Sequence, residues 1–441
     1  MPSGESAPAA GAFHRFMADA ARTGTLVVQP RMGFADPARM RAGLIATRAA
    51  DATTVGTLTL DSFTRVGDYA AAARAVAQGH HLNGYPLVSM DRETTTGLLD
   101  GVHGPGFPVQ VRHGSARPGR IVEALVAAGL DATEGGPVSY CLPYGRTPLA
   151  TSVRAWAEAC RSLAALRGTG AEPHLETFGG CMLGQLCPPS LLVALSVLEA
   201  KFFHRHGLRS VSLSYAQQIS PEQDEEAVHA LRALAADHLP DTSWHVVVYA
   251  YMGVYPETRA GALRLVADAA RLAVRTGAAR LIVKTPAESA RIPSVEENVT
   301  ALETAAAAAR TARPAPPPPS TGIEAEARSL VEAVLHLHDD LGQALIRAFA
   351  HGYLDVPFCL HPDNAGRTHS FISDRGRLEW SRTGSLPLGR STAAPPSRRL
   401  TSSGLLHALN HVKNRYDDPA ALLGRASRPR PPRISAAAGG R

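Results

Sequence analysis

Arginines follow three of the apolar runs that the sequence predicts as buried strands. Arg31 comes two residues after TLVVQ, Arg65 five residues after TVGTLTL, and Arg112 directly after PVQV. A guanidinium group binds a carboxylate or a phosphate through two parallel hydrogen bonds. A single arginine of this kind is most simply a structural salt bridge, but three on separate strands predict a site for a small molecule with two anionic groups.

A carboxylate and two phenols lie together in the segment TEGGPVSYCLPYGR, residues 133–146. Glu134 precedes two glycines, and Tyr140 and Tyr144 follow with Pro143 between them. A carboxylate binds an ammonium group, and phenol hydroxyls add neutral donors. Combined with the arginines, these groups predict an acidic amino acid as the ligand.

Two other clusters of reactive residue types have simpler interpretations. HLHDD at 336–340 would place its histidines on different helix faces, so it is interpreted as solvated surface. Cys181 and Cys187 have no basic neighbour in sequence that would lower a thiol pKa, which argues against a reactive thiol.

The segment DGVHGPG resembles a cobalamin-binding DxHxxG loop, but its aspartate and histidine have the wrong spacing.

Short apolar runs alternate with Ala-rich segments of helical periodicity, which predicts right-handed crossovers and a parallel sheet. Eight or nine strands suit a closed α/β barrel of the (β/α)8 TIM type, and no GxGxxG follows the first strand. The predicted strands are 25–29, 54–60, 108–111, 209–215, 244–251 and 279–285, with weaker candidates at 86–90, 131–134 and 174–178.

Four segments are predicted along the chain. The barrel occupies 1–310, a Pro-rich linker or loop follows at 311–322, an α+β extension at 323–424 begins with one long helix, and a disordered basic tail ends the chain at 425–441. Five arginines of that last region account for most of the formal charge of +6, and the rest of the chain is therefore close to neutral. Since a nucleic-acid-binding domain would be basic, we expect no nucleic-acid partner.

The chain of 441 residues has no apolar run of membrane-spanning length and no secretory signal pattern at its start. Its five cysteines form no CxxC pair. We therefore expect a cytoplasmic protein without a membrane partner.

The ordered motifs of the chain resemble those of the large (epsilon) catalytic subunit of adenosylcobalamin-dependent glutamate mutase, also called methylaspartate mutase. Each motif is short, but their joint order extends to DVPF and DNAG near 355–366. The motifs are QPRMG (29–33), DSFTR (61–65), LNGYP (82–86), VRHG (111–114), EGGPVSYCLPY (134–144), ETFG (176–179), CPPS (187–190), YMGVYP (251–256) and VKTPAESARIP (283–293).

The resemblance implies a (β/α)8 barrel enzyme, an isomerase that interconverts L-glutamate and (2S,3S)-3-methylaspartate by a radical mechanism. It implies that three arginines bind the two substrate carboxylates, that Glu134 binds the amino group, and that two tyrosines complete the pocket. The implied substrate residues are Arg31, Arg65, Arg112, Glu134, Tyr140 and Tyr144. The implied adenosylcobalamin residues are Lys284, Glu288, Asn83 and Gly33 at the adenosyl ribose, and Thr59, His113, Pro143 and Met252 at the corrin.

No DxHxxG loop is present, so the resemblance implies that the cobalt ligand comes from a small cobalamin-binding subunit in a heterotetramer of two large and two small subunits. Three alternatives remain open. The chain could act on a related amino acid in natural-product biosynthesis, or it could be a non-catalytic docking partner of the cobalamin subunit. It could also be a cofactor-independent aldolase with a Schiff-base lysine, although Lys284 followed by Thr-Pro and Glu288 fits a ribose site better.

Overall fold

The computed structural model describes residues 11–143, 145–182, 185–289, 291–389 and 401–418. Eight parallel strands follow one another around a barrel in the order β1-β8-β7-β6-β5-β4-β3-β2. A parallel bridge between Val28 and Thr54 joins the two ends of the sheet and nearly closes the barrel. The strands are β1 Val27–Gln29, β2 Gly56–Thr59, β3 Val109–Arg112, β4 Ala132–Gly135, β5 His174–Thr177, β6 Ser210–Ala216, β7 Ser243–Tyr249 and β8 Arg280–Ile282. The predicted (β/α)8 fold is confirmed.

Helices cover the outside of the barrel, and the apolar face of each packs against the strands and its neighbours. Asp36 and Asp61 begin two of these helices by accepting hydrogen bonds from backbone N–H groups of the first turn. Among the described residues, no helix is both long and apolar enough to cross a membrane. The helices of this part are α1 Ala12–Arg22, α2 Pro37–Ala49, α3 Ser62–Val66, α4 Tyr69–Ala77, α5 Arg92–Leu99, α6 Gly119–Ala127, α7 Leu149–Ala164, α8 Pro189–Arg205, α9 Pro221–His238, α10 Arg259–Thr276 and α11 Val295–Thr311.

Helix α1 closes the barrel at the rim where the strands begin, which we call the N-terminal rim. The Phe13 ring stacks on His174 of β5 with centroids 4.7 Å apart. Phe13, Met17, Val27 and Val55 belong to a separate apolar cluster at this rim. The opposite, C-terminal rim is where active sites of this fold lie.

The chain beyond α11 packs back onto the barrel. The Pro-rich segment has no regular structure, and it is held where the Ala315 N–H donates to the Arg275 carbonyl (2.9 Å) and the Thr321 N–H to Glu226 (2.7 Å). Helix α12 then packs against α8 and α9. The elements of this part are α12 Ile323–Leu335, α13 Leu341–His351, the antiparallel pair β9 His369–Ile372 and β10 Leu378–Arg382, α14 Ser402–Leu409 and α15 His411–Asp417. The basic tail at 425–441 lies outside the described residues.

Two predicted elements are wrong. Residues 86–90 form a turn. The Ser89 and Met90 N–H groups both donate to the Pro86 carbonyl, so they are paired inside the turn and not with a neighbouring strand. The single long helix after the linker is two helices, which HLHDD separates. The Asp340 carboxylate begins the second helix by accepting from the Gln343 N–H (2.8 Å), and His336 beside it is solvent-exposed.

Candidate functional site

A buried ion pair lies at the C-terminal rim. Arg112 is the last residue of β3 and Glu134 lies on β4, and their side chains meet with 3.0 Å between Nη2 and Oε2. Both are almost fully buried, at 3% and 1% exposed. The second guanidinium nitrogen of Arg112, Nη1, is also buried but has no hydrogen-bond partner among the described residues. An unpaired charged donor of this kind is costly unless a ligand completes it.

Two phenols complete the shell around Glu134. The Tyr140 hydroxyl donates to Oε1 of Glu134, and the Tyr249 hydroxyl lies 2.8 Å from Oε2. Burial raises the pKa of the Glu134 carboxyl, and the positive charge of Arg112 opposes that shift. Glu134 and Tyr140, which were both predicted to bind the substrate, thus lie in contact with each other, whereas Tyr144 lies outside the described residues.

His113 presents a neutral donor beside the ion pair. Its Nδ1 accepts the Ser115 N–H at 3.1 Å, which leaves the ring proton on Nε2, and Nε2 is buried without a partner among the described residues. Burial, assisted by the charge of Arg112, lowers the pKa of His113 to about 3. The imidazole stacks on Trp156 at 5.8 Å between centroids and meets the Tyr140 ring edge-on, so its orientation is fixed.

A second charged cluster joins β1 to β8. Arg31 Nη1 and Lys284 Nζ lie 3.2 and 3.3 Å from the same oxygen of Glu288, Oε2. Burial lowers the pKa of Lys284, although the negative charge of Glu288 opposes that shift. Because both cations share Oε2, the other carboxylate oxygen remains available to accept a hydrogen bond from a ligand hydroxyl. Arg31, which was predicted to bind the substrate together with Arg65 and Arg112, thus forms an ion pair with Glu288 in this structure.

The other predicted residues lie around these clusters at the ends of β1, β2, β4 and β7. A side chain at Gly33 would place its Cβ 2.1 Å from the Thr59 carbonyl oxygen, so only glycine allows this approach of β1 to β2. Thr59 Oγ1 is a further buried atom without a partner in the described structure. Asn83 is solvent-exposed and accepts the Ser62 N–H at the start of α3, the helix that carries the half-buried Arg65. Pro143 and Met252 are half-buried on their loops.

A buried carboxylate that the sequence analysis missed holds the loop that carries Tyr140. Glu199 of α8 accepts the N–H groups of Val138 (3.2 Å), Ser139 (2.9 Å) and Phe178 (3.3 Å). A Cβ at Gly136 would lie 2.0 Å from Glu199 Oε1, so glycine is required for the contact. Burial raises the pKa of Glu199 to about 7. The glycine pair of the loop is thus the sequence signal for this anchor.

A polar network under Glu134 was also missed. Glu176 of β5 pairs in register with Glu134 and contacts both the Tyr249 hydroxyl and the guanidinium of Arg280. Arg280 is fully buried at the start of β8, where the sequence pattern predicts only an ordinary strand residue. The sequence does contain a signal for this pair: Glu134 and Glu176 are each the third residue of their strands, which places them opposite each other in neighbouring strands.

Comparisons with known proteins identify the family of this chain. The model of the family described as methylaspartate mutase E chain (MutE) matches residues 7–406. The chain is 32% identical over 348 residues to a glutamate mutase epsilon subunit of Halobacterium salinarum, which covers 76% of this chain and 72% of the relative. The epsilon subunits of Yersinia enterocolitica and Desulfitobacterium hafniense are 28% and 29% identical, over 87% and 78% of this chain and 82% and 75% of their own. The chain belongs to the methylaspartate mutase E chain family.

Proposed function

We propose that this mutase subunit is the catalytic subunit of an adenosylcobalamin-dependent enzyme that interconverts L-glutamate and (2S,3S)-3-methylaspartate. The observation that carries the proposal is the buried guanidinium of Arg112. Its Nη2 lies 3.0 Å from Oε2 of Glu134, and its Nη1 has no hydrogen-bond partner among the described residues. A substrate carboxylate would complete the guanidinium, and the substrate ammonium group would bind to Glu134. Arg112 and Glu134 then bind one carboxylate and the ammonium group of an acidic amino acid.

The second carboxylate of the substrate requires further cations. The further cations that we propose are Arg65 on α3, the helix that follows β2, and Arg31 after β1, whose guanidinium also contacts Glu288; both are half-buried. His113 adds an uncharged N–H donor, which can bind a carboxylate oxygen without bringing another charge into the pocket. Fixed donors of this kind hold a substrate during fragmentation without needing a proton relay at each step.

The residues at β1, β2 and β8 fit the adenosyl cofactor. Glu288 has a carboxylate oxygen free of protein partners in the described structure, which suits a ribose hydroxyl, and Lys284 beside it is anchored 4.7 Å above the Tyr255 ring. The Thr59 hydroxyl is buried without a partner among the described residues and could donate to the rest of the group, and glycine at position 33 allows the chain after β1 to lie against Thr59. When bound, adenosylcobalamin supplies a carbon radical through homolysis of its cobalt–carbon bond.

A small cobalamin-binding subunit is the proposed partner. The motif that would bind the lower cobalt face, DxHxxG, does not occur in this sequence. A partner seated over the C-terminal rim would also keep water away from the pocket, which protects reactive intermediates.

The direct test combines the purified chain with a cognate cobalamin-binding subunit and adenosylcobalamin. We expect a cobalt EPR signal that depends on added L-glutamate, and formation of 3-methylaspartate by NMR. A signal that depends on another amino acid instead would favour the biosynthetic alternative. Binding of the small subunit without any amino-acid-dependent signal would contradict the proposal and favour a docking role.

Replacing Glu288 with glutamine should weaken adenosylcobalamin binding roughly 10- to 100-fold, because a charge-assisted hydrogen bond contributes about 1.5–3 kcal/mol and about 1.4 kcal/mol corresponds to a tenfold change in Kd. Glutamate affinity should change much less. Calorimetric titration of each ligand into the reconstituted complex measures both quantities. Glu296→Gln, an exposed carboxylate on the adjacent helix, is the matched control. A larger loss of glutamate affinity than of cofactor affinity would refute the assignment.

A further inference from the structure

The segment that follows β7, residues 251–258, contacts the charged cluster of Lys284 and Glu288, and we call it the β7 loop. In it, the Tyr255 ring lies beneath the Lys284 ammonium group, with 4.7 Å between Nζ and the ring centroid. Tyr255 is only 3% exposed, and its hydroxyl has no partner among the described residues. A cation over the face of a buried ring is attracted by the electrons of the ring. The ring of Tyr255, and not its hydroxyl, therefore stabilises Lys284 next to Glu288.

One side-chain oxygen holds the first half of the β7 loop. Gln185, in the segment after β5, accepts the Tyr251 hydroxyl at 2.8 Å and the Val254 N–H at 3.0 Å, both through Oε1. A Cβ at Gly253 would lie 1.8 Å from this oxygen, so only glycine allows the approach. Tyr251 is fully buried. The backbone directly before Tyr255 is thus tied to the segment after β5 through a single oxygen of Gln185.

The position of Gln185 depends on the part of the chain beyond the barrel. The next residue, Leu186, is buried and has a φ of 59°, in the left-handed region. A residue other than glycine keeps this conformation only where its surroundings hold it. The Leu186 carbonyl accepts the Ser370 hydroxyl at 2.6 Å, and Ser370 is a buried residue of β9. The β9–β10 hairpin therefore takes part in placing Gln185 against the β7 loop.

A second contact from beyond the barrel holds the end of the β7 loop. Asp417 of α15 accepts the Glu257 N–H through Oδ2 and the Thr258 N–H through Oδ1, each at 2.9 Å. Its Oδ1 also accepts the Thr258 hydroxyl at 2.6 Å. A Cβ at Gly261 would lie 2.6 Å from the Tyr416 carbonyl oxygen, so glycine there lets α15 pack closely on α10. The β7 loop is thus held in both halves by groups that lie outside it.

We propose that Gln185 and Asp417 are positioning residues for adenosylcobalamin, because they fix the β7 loop and with it the ring on which Lys284 rests. Lys284 has a long, flexible side chain, and its ammonium group pairs with Glu288, the residue proposed to bind the adenosyl ribose. A loop free to move would withdraw the ring, and the ammonium group would lose a contact that keeps it beside Glu288. This cofactor role rests on the proposed function, whereas the holding of the loop does not.

Hydrogen–deuterium exchange of the purified chain, without cofactor or partner, tests whether these residues hold the loop. Gln185→Met keeps the length of the side chain but removes the acceptor. Peptides that contain the Val254 amide should then exchange roughly tenfold faster, because two hydrogen bonds are lost. Gln185→Glu keeps an oxygen at this position and should exchange like the wild type. Asp417→Ala should instead speed exchange at the last two residues of the loop, and Gln343→Met, an exposed position on α13, is the matched control.

Calorimetric titration of adenosylcobalamin into the reconstituted complex tests the cofactor role. Gln185→Met and Tyr255→Leu should each raise the Kd roughly tenfold, which corresponds to about 1.4 kcal/mol and lies within the range of a desolvated cation–π contact. Gln185→Glu keeps the acceptor oxygen and Tyr255→Phe keeps the ring, so both should bind the cofactor like the wild type. The KM for L-glutamate at saturating cofactor should stay within about a factor of two in all four variants, a split that a general loss of packing would not give.

Three results would overturn the inference. Unchanged exchange around Val254 in Gln185→Met would show that Gln185 does not hold the loop. Equal cofactor affinity in Tyr255→Leu and Tyr255→Phe would show that the ring does not position Lys284, and this pair carries the test if Gln185→Met does not fold. An equal loss of cofactor and glutamate affinity would leave these residues a purely structural role. A wild-type complex that does not bind adenosylcobalamin would overturn the proposed function and the cofactor role together, whereas the exchange result on the purified chain is independent of that outcome.

Discussion

Replacing Arg112 with lysine is expected to lower kcat/KM for L-glutamate roughly 100-fold. The guanidinium of Arg112 binds Glu134 through one nitrogen, which leaves Nη1 for the ligand. The whole side chain is only 3% exposed. A lysine ammonium is a single point and cannot bond Glu134 and a substrate carboxylate in parallel. Loss of one charge-assisted hydrogen bond costs about 1.5–3 kcal/mol, which corresponds to a rate loss of roughly 10- to 100-fold. Steady-state assays of the reconstituted complex measure the effect.

The matched control is Arg117→Lys, an exposed arginine in the loop that follows the same strand. Circular dichroism and thermal unfolding of both variants establish that each is folded. Turnover of Arg112→Lys within a factor of two of the control would show that Arg112 does not bind the substrate.

Most of the barrel could be predicted because its strands are short, buried on both faces and separated by periodic helices. The run WHVVVYAY, for example, overlaps β7 at Ser243–Tyr249, which is paired on both sides by parallel neighbours. The strand prediction at 86–90 is wrong because PLVSM is largely apolar and follows a residue, Tyr85, that forms an isolated bridge with Leu60; Leu87 is buried by packing and not by strand pairing.

The helix break at HLHDD depended on tertiary context. Helical periodicity continues through 324–352 in the sequence, but Asp340 accepts the Gln343 N–H and so starts a new helix. Aspartate is a strong N-cap, but it is also tolerated inside a helix. Whether the chain starts a new helix at Asp340 or continues the old one therefore depends on what the second helix packs against. Helix α13 packs against α7 and α12, which no local pattern specifies.

The rim residues of the site could be predicted and the groups beneath them could not. A charged residue that ends a buried strand, such as Arg112, is visible in the sequence because parallel strands present their ends at one rim. Glu176 and Arg280 are 104 positions apart and lie inside the barrel, where their pairing depends on which face of each strand points inward. Glu199 is similarly remote, since its helix begins about fifty residues after the loop that it anchors.

Replacing Glu134 with glutamine should abolish most of the affinity for glutamate, by roughly 100-fold or more. The amide removes the negative charge that an ammonium group requires, and a buried Arg112 is left without its partner; breaking a buried pair costs about 3–5 kcal/mol. In the wild type, Tyr140 and Tyr249 donate to separate carboxylate oxygens of Glu134. Glutamine has only one side-chain oxygen and cannot accept at both positions. Calorimetric titration of L-glutamate into the complex measures the loss, and Glu158→Gln, an exposed carboxylate on α7, is the control.

The pH dependence of binding distinguishes loss of this charge from a general loss of packing. The ionised form of Glu134 binds the ammonium group, and burial raises the pKa of this carboxyl against the opposing charge of Arg112. Wild-type affinity should therefore fall as the pH is lowered through that raised pKa, because protonation removes the acceptor charge. Glu134→Gln has no proton to gain at this position, so its residual affinity should be nearly independent of pH over the same interval. An equal pH dependence in both proteins would assign the titration to another group and remove Glu134 as the ammonium ligand.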